Sequence, residues 1–163
     1  MRFHLVDRID EFRPFVYAIG TKCISLSEDC FDEHFPGHPV YPGSLLIETM
    51  AQLGGALLEL SLRDTLAYFP RCAVSKVTAK FRDFARPGDC LTLRADVVSH
   101  HEQSAMVRAT GSRQDKRICE AELLYVYLRV DDAELQRSRE VFLDVVTRTA
   151  RKVEDGAETP EVR

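Results

Sequence analysis

The sequence lacks any C-x-x-C pair, although it contains five cysteines. Their number is odd and they are scattered along the chain, at Cys23, Cys30, Cys72, Cys90 and Cys119. This distribution disfavours both a disulfide framework and a zinc knuckle, so we expect reduced and mostly buried cysteines. His34 and His38 are four residues apart, but the prolines and the glycine between them prevent a helical pair, and no third ligand is evident. We therefore expect neither a metal nor another cofactor.

The chain also lacks a charged-then-apolar segment at its start and, outside one helical stretch, an apolar run of membrane-spanning length. These absences predict a cytoplasmic protein without a membrane partner. The net charge of -4 excludes a strong general attraction to nucleic acid. A length of 163 residues with 45% hydrophobic content suits one globular domain with a sizeable core.

A loop of constrained shape occupies residues 34–43, where prolines fix backbone angles and glycines relax them. From Ser44 to Leu62 there is no proline, and apolar residues lie on nearly every side of the helical circumference. This pattern predicts a helix that is buried almost all round. Gly54 and Gly55 in its middle predict close packing against another backbone, since each glycine costs a helix about 1 kcal/mol relative to alanine.

One polar stripe interrupts this apolar helix. Glu48 and Gln52 are four residues apart, and Glu59 follows Glu48 by eleven, which is about three turns at ~3.6 residues per turn. A carboxylate in such a helix is costly to bury unless it is paired, hydrogen-bonded or protonated. His34, at the mouth of the rigid loop, supplies an imidazole that can take or give a proton at neutral pH. Together these residues predict an acid–base site.

The segment from His34 to Gln52 reads HFPGHPVYPGSLLIETMAQ. It resembles the β-hydroxyacyl-acyl-carrier-protein dehydratases of type II fatty acid synthesis, with matching spacing throughout. Two weaker similarities flank it: residues 5–9 look like the early strand of that family, and residues 80–89 look like its F-R-x-x-x-x-P-G-D segment. The chain departs from the family in lacking an L-P-H-R-x-P-F segment before the first strand.

The resemblance implies an α+β hotdog fold, in which an antiparallel sheet wraps a long central helix, and a dimer with active sites at the subunit interface. This dehydratase domain would span residues 1–130. The sequence is consistent with the fold, because residues 72–84, 91–99, 104–111 and 117–130 all have strand character. The charge order and apolar stripe of residues 131–150 predict an added amphipathic helix. We expect residues 151–163 to form a disordered tail.

The resemblance also implies an activity, the dehydration of 3-hydroxyacyl thioesters on acyl carrier protein to trans-2-enoyl thioesters in fatty acid, polyketide or polyene synthesis. His34 would take the C2 proton, and Glu48 would protonate the departing C3 hydroxyl or hold the water. The backbone N–H of Gly43, at the helix start, suits the developing enolate oxygen. Gln52 would orient Glu48, with His34 and Glu48 meeting from different subunits.

Two other functions remain open on the sequence alone. A hotdog thioesterase would also process acyl thioesters, although it does not need the complete motif from histidine to glutamate. A non-catalytic partner subunit of a heteromeric dehydratase is the second alternative, which loss of His34 or Glu48 would have indicated, but both are present. Double-bond isomerisation is less favoured, because related isomerising enzymes carry aspartate in place of Glu48.

Positive charge is concentrated in residues 71–86 of this acidic chain. Lys76, Lys80, Arg82 and Arg86 are candidates for a surface that docks an acidic acyl carrier protein. The alternative is a solvated face that only keeps the sheet soluble.

Overall fold

The structure is a computed structural model that describes residues 4–63, 65, 68 and 70–154. Two α-helices are present in these residues, α1 (Gly43–Leu62) and α2 (Ala133–Val146), with a short 3-10 helix at Asp29–Asp32. The strands are β1 (Arg8–Arg13), β2 (Tyr17–Cys23), β3 (Pro70–Phe81), β4 (Cys90–His100), β5 (Ser104–Arg113), β6 (Lys116–Arg129) and β7 (Arg151–Lys152).

The seven strands form one sheet in the order β3-β6-β5-β4-β2-β1-β7. Every pair is antiparallel except β1 with β7, which is parallel. In β4, every second residue from Leu91 to Ala95 is buried in the core, and α1 contacts all strands from β2 to β6. The sheet therefore wraps α1, and the predicted α+β hotdog fold is confirmed.

Helix α1 forms the centre of the core, and Met50, Leu53 and Leu57 are fully buried in it. The helix is long and apolar enough to cross a membrane by length and composition, but most of it is buried inside the sheet. A Cβ on Gly54 would lie 2.5 Å from the hydroxyl of Tyr125 on β6. That hydroxyl donates to the Ala51 carbonyl at 2.8 Å. The close approach at this glycine is thus to a side chain of the sheet rather than to a backbone.

Helix α2 begins at its N-cap Asp132, whose carboxylate accepts the N–H groups of Glu134 and Leu135, both at 2.9 Å. It buries Phe142, Leu143 and Val146 against the domain. Beyond it, Arg151 and Lys152 pair with Glu11 and Phe12 of β1, so the expected disordered tail does not begin at residue 151. The rest of that expected tail from residue 155 lies outside the described residues.

Cys23 and Cys90 are joined by a disulfide, which corrects the expectation that all the cysteines are reduced. The register of β2 and β4 places these two residues directly opposite each other, with their Cα atoms 4.1 Å apart. Cys30, Cys72 and Cys119 are free. Burial raises the pKa of the Cys119 thiol to about 11, so this buried thiol is unreactive at neutral pH. Within the described ranges, no three potential ligands are grouped to hold a metal ion.

Candidate active site

His34 is held in one orientation by the loop that the sequence predicted. Its Nδ1 lies 2.7 Å from the Val40 carbonyl oxygen, and the Val40 N–H donates back to the His34 carbonyl at 3.0 Å. A carbonyl can only accept, so Nδ1 carries the hydrogen and Nε2 of the neutral ring is left as a proton acceptor. The Tyr41 N–H anchors the end of the loop by donating to Ala85 at 2.8 Å. His34 is therefore positioned as a base.

A cavity of about 510 Å³ lies beside His34. Its wall is formed by the loop, the start of α1 and the end of β3 with the segment after it; the residues are His34, Phe35, Val40, Tyr41, Gly43, Leu46, Phe81, Arg82, Asp83, Phe84 and Ala85. The Phe81 ring would lie 3.0 Å from a Cβ on Gly43, so the ring can approach the helix start because this residue is glycine. First-turn amides lack intrahelical acceptors, which leaves the Gly43 N–H suited to an anionic oxygen.

Glu48 is also oriented by a hydrogen bond. The Gln52 Nε2 donates to Glu48 Oε1 at 2.9 Å, and the Gln52 Oε1 accepts the Leu5 N–H at 2.8 Å. The second bond assigns the amide, because only its oxygen can accept from Leu5. This is the contact that the predicted orienting role of Gln52 requires.

Glu48 lines a second cavity, of about 330 Å³, which does not include His34. One face of α1 forms its floor, and its lining is His4, Glu48, Ala51, Gln52, Gly55, Glu59, Arg71, Cys72, Val74, Tyr125 and Arg139. The structure of one chain thus places the two predicted proton-transfer residues in separate cavities. Strand β3 borders both, through Val74 at the Glu48 cavity and Phe81 at the His34 cavity.

Strand β3 is an end strand of the sheet and is twelve residues long. Its exposed side chains include Val74, Val77 and Phe81, the last half exposed at 50%. A long edge with exposed apolar side chains is open to pairing with another strand.

A buried charge cluster closes the far end of the Glu48 cavity. Glu59 is only 1% exposed, and its Oε2 lies 2.6 Å from Nε of Arg139 on α2. Its Oε1 accepts the Cys72 N–H at 3.2 Å and lies 3.6 Å from Nε of Arg71. The sequence indicated Glu59 only as part of the polar stripe, and it did not indicate Arg71 or Arg139 as site residues. The helical spacing from Glu48 was the available signal for Glu59.

The four basic candidates differ in their contacts. Arg82 lines the His34 cavity and pairs with Glu120 at 2.7 Å, while Arg86 lies over the Phe84 ring. Lys76 and Lys80 are exposed on β3, and Lys80 borders a separate depression with Thr78, Arg108, Glu120, Ala121 and Glu122. Arg82 is therefore the basic candidate that lines the same cavity as His34.

The segment that follows Arg82 is pinned by Asp83. This carboxylate accepts hydrogen bonds from Lys116 at 2.7 Å and from the Phe84 N–H at 2.8 Å, and it pairs with Arg113 at 3.1 Å. The Lys116 and Phe84 hydrogen bonds, aided by the charges of Lys116 and Arg113, lower the pKa of Asp83 to about 2. The wall of the His34 cavity thus has an ionised, well-anchored carboxylate at neutral pH.

The wrapped central helix, with an oriented imidazole and an oriented carboxylate at the open edge of the sheet, defines a hotdog-fold protein equipped for acid–base chemistry. The FabA-like domain family matches residues 1–122, and the chain belongs to this family. Helix α2 follows the matched region. The family membership that the motif predicted is confirmed.

Two relatives carry the same name, 3-hydroxyacyl-acyl-carrier-protein dehydratase FabZ. The protein of Levilactobacillus brevis is 36% identical over 129 residues, covering 78% of this chain and 84% of the relative. The protein of Campylobacter hominis is 38% identical over 126 residues, covering 74% and 84%. Among solved structures, a hypothetical thioesterase of Streptococcus pneumoniae with coenzyme A has a TM-score of 0.59 at 13% identity, covering 77% of this chain and 88% of that one. At that identity the likeness shows the fold alone.

Proposed function

We propose that the protein dehydrates 3-hydroxyacyl thioesters carried on acyl carrier protein to trans-2-enoyl thioesters. The observation that carries this proposal is that two proton-transfer side chains are each pre-oriented, His34 by Val40 and Glu48 by Gln52. Elimination of water needs a base for the C2 proton and an acid for the C3 hydroxyl, and these two groups fill both roles. The names of the FabZ relatives support the same reaction class.

The thioester carbonyl makes the C2 proton acidic, and Nε2 of His34 is the free acceptor for it. Negative charge develops on the thioester oxygen, where the Gly43 N–H donates to it. The Glu48 Oε1 accepts from Gln52, which leaves Oε2 to carry the proton that the departing hydroxyl takes. The C2–H and C3–O bonds break, the C2–C3 double bond forms, and water leaves. Proton transfer from His34 to Glu48 through water restores both groups.

We further propose that the active unit is a homodimer in which β3 pairs with its copy. Val74 borders the Glu48 cavity and Phe81 the His34 cavity, near opposite ends of the exposed part of β3. An antiparallel pair centred on Val77 and Thr78 would bring Phe81 of one chain opposite Val74 of the other, by two-fold symmetry. One chain's His34 would then adjoin the other chain's Glu48, which explains why a single chain separates them.

The carrier would approach at Arg82, because this residue lies in the wall of the His34 cavity where the thioester must react. Lys76 and Lys80, exposed on the same strand, would add positive charge along the approach. A cytoplasmic location is part of this proposal, since the proposed reaction uses a substrate bound to acyl carrier protein.

The test is mass spectrometry of acyl groups on carrier protein after incubation with the purified enzyme, with enoyl-thioester absorbance followed in parallel. We expect loss of one water per acyl group, and we expect His34→Ala and Glu48→Gln each to slow it by at least ~100-fold, because acid–base groups contribute ~10²–10⁴-fold. Near wild-type turnover of either variant, with unchanged circular dichroism, would remove that residue from the mechanism. Release of free acid without enoyl product would identify a thioesterase instead, and no turnover at all would favour a non-catalytic partner subunit.

A further inference from the structure

The Glu48 cavity is the place for the part of the acyl group beyond C3, if the proposed dehydration is correct. The thioester reacts at His34 and Gly43, and Glu48 serves the C3 oxygen. Because Glu48 stands at one end of its cavity, the carbons that follow C3 continue along the α1 face from Glu48 toward Glu59. The helix advances about 16 Å over these eleven residues, at ~1.5 Å per residue.

The distant end of this path is charged rather than apolar. The Glu59 side chain is 2% exposed, the Arg139 side chain 12% and the Arg71 side chain 34%. Two guanidinium groups therefore share one buried carboxylate at the cavity wall. Each guanidinium has five N–H donors and no acceptor, so the pair offers many more hydrogen-bond donors than Glu59 can accept.

The position of Arg139 is built into the fold. Its guanidinium lies 4.7 Å from the centroid of the Phe142 ring, and that ring stacks on His4 at 4.2 Å. Helix α2, which carries both residues, follows the region matched by the FabA-like family. The charged wall of the cavity thus depends on an element that the family match does not cover.

We propose that Arg71 and Arg139, held in place by Glu59, bind an oxygen at the far end of the acyl group. The substrate would be a 3-hydroxyacyl thioester whose chain ends in a carbonyl, hydroxyl or carboxylate, in preference to a plain alkyl chain of equal length. A terminal oxygen accepts hydrogen bonds from the guanidinium groups in place of water, whereas an alkyl end displaces water and leaves donors unsatisfied. A short alkyl chain ends before the charged wall and avoids this penalty.

The first test compares 3-hydroxyacyl thioesters of the same carrier: a short alkyl chain, a long alkyl chain that reaches Glu59, and two chains of that greater length ending in a methyl ketone or a carboxylate. We expect kcat/KM for at least one oxygen-ended chain to exceed that of the long alkyl chain by about tenfold or more. Preference for the ketone indicates hydrogen bonding as the cause, and preference for the carboxylate alone indicates charge. A long alkyl chain that is used as well as both oxygen-ended chains would overturn the proposal.

The second test changes the wall itself. Arg139→Leu alone would leave Glu59 buried without its nearest partner, which is destabilising, so the variant of choice combines Glu59→Leu with Arg71→Leu and Arg139→Leu. We expect the preference for an oxygen-ended chain to fall by about tenfold in this apolar variant. Arg137→Leu, on the exposed side of the same helix, is the matched control and should keep the wild-type preference. An unchanged preference in the triple variant would refute the assignment.

Binding separates this inference from the proposed reaction. Saturated acyl-pantetheines have no hydroxyl to lose. Calorimetry with wild-type protein therefore measures their binding affinity at the charged wall without any reaction. Absence of dehydration for every substrate would refute the proposed function, and the order of affinities would still decide the inference. Tighter binding of oxygen-ended chains supports it, and tighter binding of the alkyl chain of equal length overturns it.

Discussion

The amide of Gln52 joins Glu48 to the backbone of Leu5: its nitrogen donates to Glu48 Oε1 at 2.9 Å and its oxygen accepts from the Leu5 N–H at 2.8 Å. If the nitrogen and oxygen of this amide exchanged positions, both hydrogen bonds would be lost. The orientation of the Glu48 carboxylate is therefore set from outside α1, by the segment that precedes β1.

This relationship predicts that Gln52→Glu lowers kcat by about 10- to 100-fold with little change in KM. Glu48 becomes charged as it gives up its proton, and a hydrogen bond to a charged group is worth about 1.5–3 kcal/mol. The new carboxylate still accepts from Leu5 but, when ionised, cannot donate to Glu48. Gln52→Leu, which loses both bonds, should be at least as slow. Steady-state kinetics over a range of pH checks this, and wild-type kcat in Gln52→Glu would show that the donor does not matter.

The proposed dimer predicts that inactive chains complement each other. His34→Ala and Glu48→Gln proteins, mixed and allowed to exchange subunits, should recover part of the wild-type activity because each heterodimer contains one intact pair. Native mass spectrometry verifies the exchange, and mixing two batches of the same variant is the control. Exchange without recovery would place both residues in the site of one subunit.

The carrier surface predicts an effect confined to carrier-bound substrate. Single exposed charges are weak, so we expect Lys80→Glu combined with Arg82→Glu to raise KM for the carrier-bound thioester and to reduce its dependence on salt. A small thioester mimic should be turned over almost as before. The control is Arg129→Glu. Arg129 is an exposed arginine at the last position of β6, whereas Glu120, the partner of Arg82, lies near the start of that strand. Equal damage with both substrates would mean that these residues support the fold or the cavity.

The disulfide predicts a redox-dependent stability. Cys23 and Cys90 are 67 residues apart in sequence, and closing such a loop raises the free energy of unfolding by about 2–4 kcal/mol. In denaturant titrations without reductant, the free energy of unfolding of Cys90→Ser should be lower than that of wild type by this amount. Reductant should lower the free energy of unfolding of wild type and leave that of the variant unchanged. Thiol labelling of denatured, unreduced protein should find three reactive cysteines, and five would contradict the bond. In a reducing cytoplasm the less stable form would prevail.

Local patterns predicted the elements that carry the chemistry. Proline and glycine in residues 34–43 marked the loop, and the absence of proline from Ser44 onward marked α1, which begins one residue earlier. The four strands after α1 lie where their alternation or continuous apolar character placed them, with ends shifted by up to three residues. Loop and helix follow from backbone preferences within a few residues, so one sequence is enough to find them.

Features that depend on long-range pairing were not predicted. Strand β2 was missed, and the disulfide with it, because the partner of Cys23 is fixed by the register with β4 and not by spacing in the sequence. Strand β7 has two residues and exists only through its pairing with β1. Nothing in the sequence indicated that Arg139 reaches a buried partner, because the packing of Phe142 of α2 on His4 is a long-range contact that holds Arg139 near Glu59.

His34 and Glu48 of one chain lie in separate cavities, so activity in the proposed dimer depends on protein concentration. A dilute solution in which chains dissociate would hold correctly folded subunits that each present half of the chemistry. Specific activity should then fall as the enzyme is diluted below its dimer dissociation constant. The dehydration capacity of a cell would then rise more steeply than in proportion to the amount of the protein.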